Sequence, residues 1–230
     1  MPHVRTLIIR FKNEIPKWEV NKFRGALIAS LENANVLYHN HQDEGLRYSY
    51  PLIQYRTLQG KAAITCIGDG TDAIGEFLSG QNHDLTLGER TEHFEIEDIH
   101  ARNTLVQCWQ TPLEYHIRRW IPLNKENYKS YEELEGITER VALLEKILVG
   151  NILSTLKGMG IKIEEQLTCK ITWLSEPKPV TFKKVKLIAF DANFRTNVSL
   201  PSLIGLGRHV SVGYGTITMK HHNENNNQHE

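Results

Sequence analysis

The order of apolar patterns in the first half of the chain is the sequence feature that most constrains its fold. Residues 4–11 are apolar and strand-like, and Pro16 then opens a helical stretch with its apolar residues on one face. Two strand patterns, a short helical pattern and a final alternating strand follow, at residues 48–55, 61–67, 69–80 and 94–97. This order predicts a split βαβ, or ferredoxin-like, domain in which two helices cover one antiparallel sheet.

The second half predicts a similar arrangement in which one element is missing. Strand patterns occupy residues 104–109, 115–121, 162–174, 181–195 and 210–219. A long helix is expected between the second and third of these strands, beginning at a capping box of Ser130 and Glu133 and ending at Gly158 and Gly160. Where a second helix would belong, the chain carries a glycine-rich loop.

We therefore predict an α+β fold made of two tandem ferredoxin-like (RRM-like) domains, the second with a glycine-rich loop in place of a regular second helix. The expected bounds are 1–115 for the N-terminal domain and 116–220 for the C-terminal domain. Residues 221–230 are Asn-rich and polar, which predicts a disordered tail.

Composition excludes some classes of protein and fits a cytoplasmic one. The apolar runs are far shorter than a signal peptide or a membrane span requires, so we expect a cytoplasmic location. Cys66, Cys108 and Cys169 are odd in number and widely spaced, a pattern of neither a disulfide framework nor a zinc site. We expect buried, reduced thiols.

Charge is uneven along a chain whose formal net charge is zero. Between residues 177 and 220 seven lysines and arginines stand against Asp191 alone, whereas the preceding part of the chain is mildly acidic. This basic region is consistent with an electrostatic footprint for nucleic acid, and equally with an ordinary solvated face.

The glycine-rich loop spans residues 205–215 and reads Gly-Leu-Gly-Arg-His-Val-Ser-Val-Gly-Tyr-Gly. A dinucleotide-binding motif would need a third spaced glycine followed by a helix, and a P-loop would need Gly-Lys-Ser/Thr. Two interpretations stay open: tight turns before an edge strand, or close approach of an RNA backbone. In the second interpretation, Arg208 and His209 would meet phosphates.

Two histidines near the start of the chain, His39 and His41, would point the same way from an extended segment. They could be metal ligands, surface residues, or a general acid and base, since an imidazole titrates near pH 6.5. Tyr48 could donate a hydrogen bond to a developing oxyanion. Arg47 lies nearest the histidines and could contact phosphate, as could Arg56 unless it is simply an exposed strand charge.

These residues, in this order, resemble a known family. The likeness is carried by the histidine-bearing loop, the Arg-Tyr-Ser-Tyr-Pro-Leu-Ile-Gln-Tyr-Arg stretch at 47–56, residues 61–70 and the glycine-rich loop. Together they are similar to the CRISPR repeat-specific endoribonucleases of the RAMP superfamily, which process precursor CRISPR RNA. The resemblance covers the whole chain except the tail.

The resemblance implies cleavage of CRISPR repeat RNA without a metal or other cofactor. The 2′-hydroxyl attacks the adjacent phosphate and leaves a 2′,3′-cyclic phosphate and a 5′-hydroxyl. His41 and His39 would be the general acid and base in the N-terminal domain, and Tyr48 would hold the 2′-hydroxyl or a phosphate oxygen. The expected RNA-binding residues are Arg47, Gly205, Gly207, Arg208, His209, Gly213, Tyr214 and Gly215.

The same resemblance leaves some matters open. Many members of the family also supply a catalytic lysine, which the sequence does not place here. Others only bind RNA, so the alternative function is a non-catalytic RNA-binding subunit of a CRISPR ribonucleoprotein complex. Expected partners are the repeat RNA, a CRISPR effector complex and a second copy in a homodimer.

Overall fold

The computed structural model describes residues 2–31, 50–80 and 83–220, together with the backbone of residues 41–42 and 45–46. Within these residues the chain forms one four-stranded and one five-stranded antiparallel sheet, each packed against helices through its own hydrophobic core. The predicted pair of tandem ferredoxin-like units is confirmed. The predicted tail at 221–230 lies outside the described residues.

The first unit has the predicted order of strands and helices. Its elements are β1 (His3–Glu14), α1 (Val20–Ala29), β2 (His41–Gln42), β3 (Gly45–Leu46), β4 (Ile53–Leu58), β5 (Lys61–Ile67), α2 (Gly70–Ala73), α3 (Gly75–Ser79), β6 (Asp84–Leu87), β7 (Arg90–His93) and β8 (Ile96–Leu105). The sheet runs β4-β5-β1-β8, which places the first and third strands of the motif at its centre. The hairpins β2–β3 and β6–β7 are additions to this motif.

The core of the first unit explains why α1 forms where it does. Val20, Phe23 and Leu27 are spaced by three and four residues, and all three are buried on one helix face. Phe23 meets Phe11 of β1 edge to face, with ring centroids 5.7 Å apart. Phe77 of α3 meets the same Phe11 at 6.1 Å, so one strand residue joins the helices to the sheet.

The second unit repeats the arrangement, but no α-helix immediately precedes its last strand. Its elements are β9 (Cys108–Trp120), α4 (Lys125–Glu133), α5 (Ile137–Gly158), β10 (Cys169–Leu174), β11 (Lys178–Phe182), β12 (Val185–Val198) and β13 (Thr216–Met219). The sheet runs β10-β12-β9-β13, and β11 adds to it as a hairpin with β12. Between β12 and β13 the regular structure is a single 3-10 turn, Val210–Val212, as the glycine-rich loop predicted.

The predicted capping box is wrong. Ser130 lies inside α4, where its hydroxyl donates to the carbonyl of Glu126, and the cap of that helix is Asn124. The chain leaves helical geometry at Leu134, and α5 then starts after Gly136, which is also extended. A Ser-x-x-Glu pattern fits the inside of a helix as well as its start, so the pattern alone could not place the break.

The boundary between the two units lies earlier in the chain than predicted. β8 ends at Leu105 and β9 begins at Cys108, whereas the expected boundary at 115/116 lies inside β9. Tyr115 is already buried in the second core. The reason is that no glycine occurs between Gly88 and Gly136 to mark the turn between the two sheets.

The cysteines and the helices bear on two other expectations. Cys66 and Cys169 are buried free thiols and Cys108 is a half-buried one, and burial raises the pKa of Cys169 to about 12. Among the described residues, no helix is both long and apolar enough to cross a membrane.

Candidate nucleic-acid interface

The glycine-rich loop, residues 205–215, lies between the two units. Its 3-10 turn packs on β4 and α1 of the first unit, and Val212 and Tyr214 are buried in the first unit's core. Gly213 lies directly over β4, because a Cβ there would be 3.1 Å from the Cβ of Arg56. The loop therefore joins the two halves of the molecule.

The glycines of this loop face atoms of the same chain. A Cβ on Gly207 would lie 2.9 Å from the indole ring of Trp120, and one on Gly205 would lie 2.6 Å from the Cβ of Val210. Gly215 packs against the carbonyl of Leu206. Gly207, Gly213 and Gly215 also have positive φ angles, which glycine adopts without strain. The number of glycines follows from tight turns and internal packing.

A buried polar network holds the loop to the first unit. The hydroxyl of Tyr50 donates to the carbonyl of Gly205 at 2.8 Å, and the N–H of Gly205 donates to Gln54 Oε1 at 2.9 Å. Arg56 donates to that same Gln54 oxygen and, at 2.9 Å, to the hydroxyl of Thr216. The stretch 50–56 and the glycine-rich loop, the two motifs that carry the family resemblance, are thus in direct contact.

Arg56 is the least expected member of this network. It is 2% exposed, and none of the described carboxylates forms an ion pair with it. Burial lowers the pKa of Arg56 to about 10 and raises the pKa of Tyr50 to about 12. Arg56 is therefore neither an exposed strand charge nor a surface phosphate ligand. Sequence reasoning missed this role because arginine is rarely buried without a partner.

His209 and Arg208 differ in their surroundings. His209 has a left-handed backbone, and its ring packs on Phe182 with centroids 4.0 Å apart. Burial, followed by the charges of Arg208 and Lys183, lowers the pKa of His209. The lowered pKa favours the neutral form of this ring, whereas the side chain of Arg208 is exposed to solvent.

A groove of about 440 Å³ lies beside the loop, between the start of α1 and the β11–β12 hairpin. We call it the basic groove. It is lined by Lys17, Trp18, Val20, Asn21, Arg119, Val180, Thr181, Phe182, Lys183, Val212 and Tyr214. Both units contribute to its walls, and none of its lining residues is acidic.

Three cations of the basic groove, Lys17, Arg119 and Lys183, form no ion pair with any described carboxylate. The guanidinium of Arg119 lies 4.2 Å over the ring of Tyr214, and its backbone is fixed by an N–H donated to Asp191 Oδ1 at 2.7 Å. Un-neutralised cations beside aromatic faces are suited to bind phosphates and stack bases.

Trp18 supplies the most accessible aromatic face of the groove. Trp18 is 70% exposed, a high value for so large an apolar residue. Lys22 lies over the ring, with Nζ 5.2 Å from its centroid. Neither Trp18 nor Phe182 was predicted as a site residue, because each is a lone aromatic in its own segment and only the fold brings the two segments together.

The predicted catalytic residues are only partly within the described structure. The backbone of His41 pairs with Leu46 in the β2–β3 hairpin. His39, Arg47 and Tyr48 lie outside the described residues. Among the side chains that are described, no three His, Cys, Asp or Glu groups come together as metal ligands would.

Comparison with known proteins gives matches along the whole of both units. A family model for the Cas6b N-terminal domain matches residues 2–105, and one for the Cas6b C-terminal domain matches residues 107–220. A protein of Methanocaldococcus jannaschii, uncharacterized protein MJ0978, is 42% identical over 101 residues, which are 44% of this chain and 67% of that protein.

Solved structures are similar over nearly the full length. A crystal structure of Cas6b superposes with a TM-score of 0.86 at 28% identity, covering 95% of this chain and 100% of that one. A crystal structure of the CRISPR RNA processing endoribonuclease Cas6b gives a TM-score of 0.73 at 26% identity, over the same shares of the two chains.

Proposed function

This chain belongs to the Cas6b family, and we propose that it cuts precursor CRISPR RNA within the repeat by a metal-independent transesterification. A similar solved structure is that of a CRISPR RNA processing endoribonuclease. The observation that carries the proposal within this chain is the basic groove, where Lys17, Arg119 and Lys183 have no carboxylate partners among the described residues.

The proposed reaction needs two proton transfers. The 2′-oxygen forms a bond to the adjacent phosphorus while the bond from phosphorus to the 5′-oxygen breaks. A general base takes the proton of the 2′-hydroxyl, and a general acid gives one to the leaving 5′-oxygen. His41 and His39 take these two roles, and Tyr48 donates to the 2′-oxygen or to a phosphate oxygen. Each positioned acid or base contributes roughly 10²–10⁴-fold in rate.

The remaining RNA-binding residues act by position and charge. The loop 205–215 shapes one wall of the basic groove, and Arg208 extends the cationic surface beyond it. Phosphates of the repeat meet the three cations of the groove, and bases stack on Trp18 and Phe182. A homodimer and attachment to a CRISPR effector complex are proposals of the same kind.

Cleavage of a 5′-labelled repeat RNA in excess EDTA tests the function. We expect one cut that survives EDTA and disappears when the sugar before the scissile phosphate is 2′-deoxy. His41→Ala should lose most of the cleavage while binding the repeat nearly as well as the unmodified protein. The product should carry a 2′,3′-cyclic phosphate, which acid hydrolysis converts to a monophosphate.

The same experiment separates the alternatives. Binding without any cut would favour the RNA-binding subunit, for which the basic groove alone is sufficient. A cut that is lost in EDTA would favour metal ligation by His39 and His41. Equal loss of binding and cleavage in His41→Ala would make that histidine a binding or structural residue.

A further inference from the structure

The second sheet has one face that no described helix covers. α5 packs on the other face, where Tyr115, Ile117 and Phe194 are buried. Because side chains alternate along a strand, His116 and Asn193 point to the uncovered face. In RRM-like sheets this face can stack unpaired RNA bases on side chains of its strands.

A row of side chains crosses β10, β12, β9 and β13 on this open face. The strand register aligns Trp173 with Asn193, Asn193 with His116, and His116 with Thr218. Trp173 is 48% exposed, and its ring centroid lies 6.3 Å from that of His116, with 32° between the planes. His116 Nδ1 donates to Asn193 Oδ1 at 2.7 Å, which fixes the orientation of the imidazole. The row thus presents two ring systems, held by β-structure rather than by a loop.

The charges around this row favour a polyanion. The flanking cations are Arg118, Lys170, Lys178, Arg195 and Lys220. Glu114 pairs with Arg195 and Lys220. Asp191 pairs with Lys178, and Glu145 of α5 pairs with Lys170. Cations therefore outnumber carboxylates. Arg118 is exposed and forms no ion pair with a described carboxylate.

We propose that this open face binds a single-stranded segment of RNA, with one base stacked on Trp173 and a neighbouring base against His116. Phosphates on either side of these bases meet Arg195 and Arg118. The open face shares no residue with the basic groove, so it is a second RNA-binding surface. The inference rests on the proposed function because it takes RNA as the ligand. It assigns an unpaired segment of that RNA to the open face of the second sheet, apart from the basic groove.

Binding of an unstructured RNA octamer that lacks the repeat sequence tests this proposal. The affinity of the full chain for the fluorescently labelled octamer is measured by anisotropy at constant salt. Trp173→Ala should weaken binding by about fivefold to a hundredfold, the range for loss of one aromatic stacking partner. Trp173→Phe keeps an aromatic face and should restore most of the affinity. Because Trp173 is half exposed, neither change should unfold the sheet.

Trp109→Ala is the matched control. Trp109 is 42% exposed and lies on the same strand as His116 but seven residues earlier, about 23 Å along an extended strand. Its removal should leave octamer affinity unchanged. The proposal is overturned if Trp173→Ala binds the octamer as the unmodified protein does, or if Trp109→Ala loses as much. Octamer binding does not depend on cleavage, so failure to cut the repeat would count against the proposed function alone.

Discussion

Replacing Gly207 by alanine tests whether this glycine is needed for packing within the protein, independently of any contact with RNA. Gly207 has a φ of +92°, and an added Cβ would lie 2.9 Å from the indole of Trp120 and 3.0 Å from the carbonyl oxygen of Ile121. Trp120 cannot move aside easily, because it is fully buried and its Nε1 donates to Asn151 Oδ1 at 2.9 Å. The alanine therefore suffers both backbone strain and a clash.

The two effects can be given separate magnitudes. An alanine held in the left-handed region costs about 1–2 kcal/mol. An extra carbon forced into a well-packed core costs about 1–3 kcal/mol. The expected loss in the free energy of unfolding is thus about 2–5 kcal/mol, a large part of the about 5–15 kcal/mol that stabilises a typical folded protein. With a urea m-value of about 2 kcal/mol/M, the midpoint should fall by about 1–2.5 M.

Gly160 provides a matched control for the strain. Its φ is +72°, and a Cβ there would meet nothing within 4 Å. Gly160→Ala should therefore lose only the strain, about 1–2 kcal/mol. Urea titrations of both variants, followed by circular dichroism, measure the difference. If Gly207→Ala is no less stable than Gly160→Ala, the close packing of the loop against Trp120 is refuted.

Two other predictions concern charge. The double variant Lys17→Ala, Lys183→Ala should reduce the slope of the logarithm of the RNA-binding constant against the logarithm of salt concentration by about 1.4–1.8, because each lost phosphate contact removes about 0.7–0.9. Lys146 is an exposed lysine on α5, and the control variant Lys146→Ala should leave the slope unchanged. The pKa of His209 is lowered in the folded protein, so as pH falls the imidazole takes up a proton in the unfolded chain first. The stability that His209 contributes is therefore fully present above about pH 6.5 and is lost as the pH falls below that value. His209→Asn, which tolerates the left-handed backbone, should flatten the fall in melting temperature between about pH 7 and 5; an unaltered pH profile would contradict this assignment.

The sheet topology was predictable because it follows from the order and period of the apolar residues. Phe23 and Leu27 mark a helix face, and alternation marks the central strands, whatever the tertiary detail. The β6–β7 hairpin was not predicted, because only Leu85 and Leu87 in it are both apolar and buried. The break between α4 and α5 was not predicted, because apolar residues continue across it at helical spacing.

The binding surfaces were less accessible to sequence reasoning. The basic groove combines Trp18 from before α1, Arg119 from β9 and Phe182 from β11, and no local pattern connects these three segments. The glycine-rich loop was recognisable by composition, but composition could not show that its glycines face Trp120 and Arg56 rather than open space. From a single sequence, Arg56 is predicted to be a charged residue on the surface.

The network of Tyr50, Gln54, Arg56 and the glycine-rich loop also limits how modular the protein is. Each half has its own core and its own family match, two features that on their own would make the halves exchangeable between relatives. Yet Tyr50, Gln54 and Arg56 of stretch 50–56 bond to the backbone of Gly205 and the hydroxyl of Thr216 in the other half. A hybrid that joins halves from two parents must therefore take these two segments from the same parent, and the same constraint ties their sequence changes together during divergence.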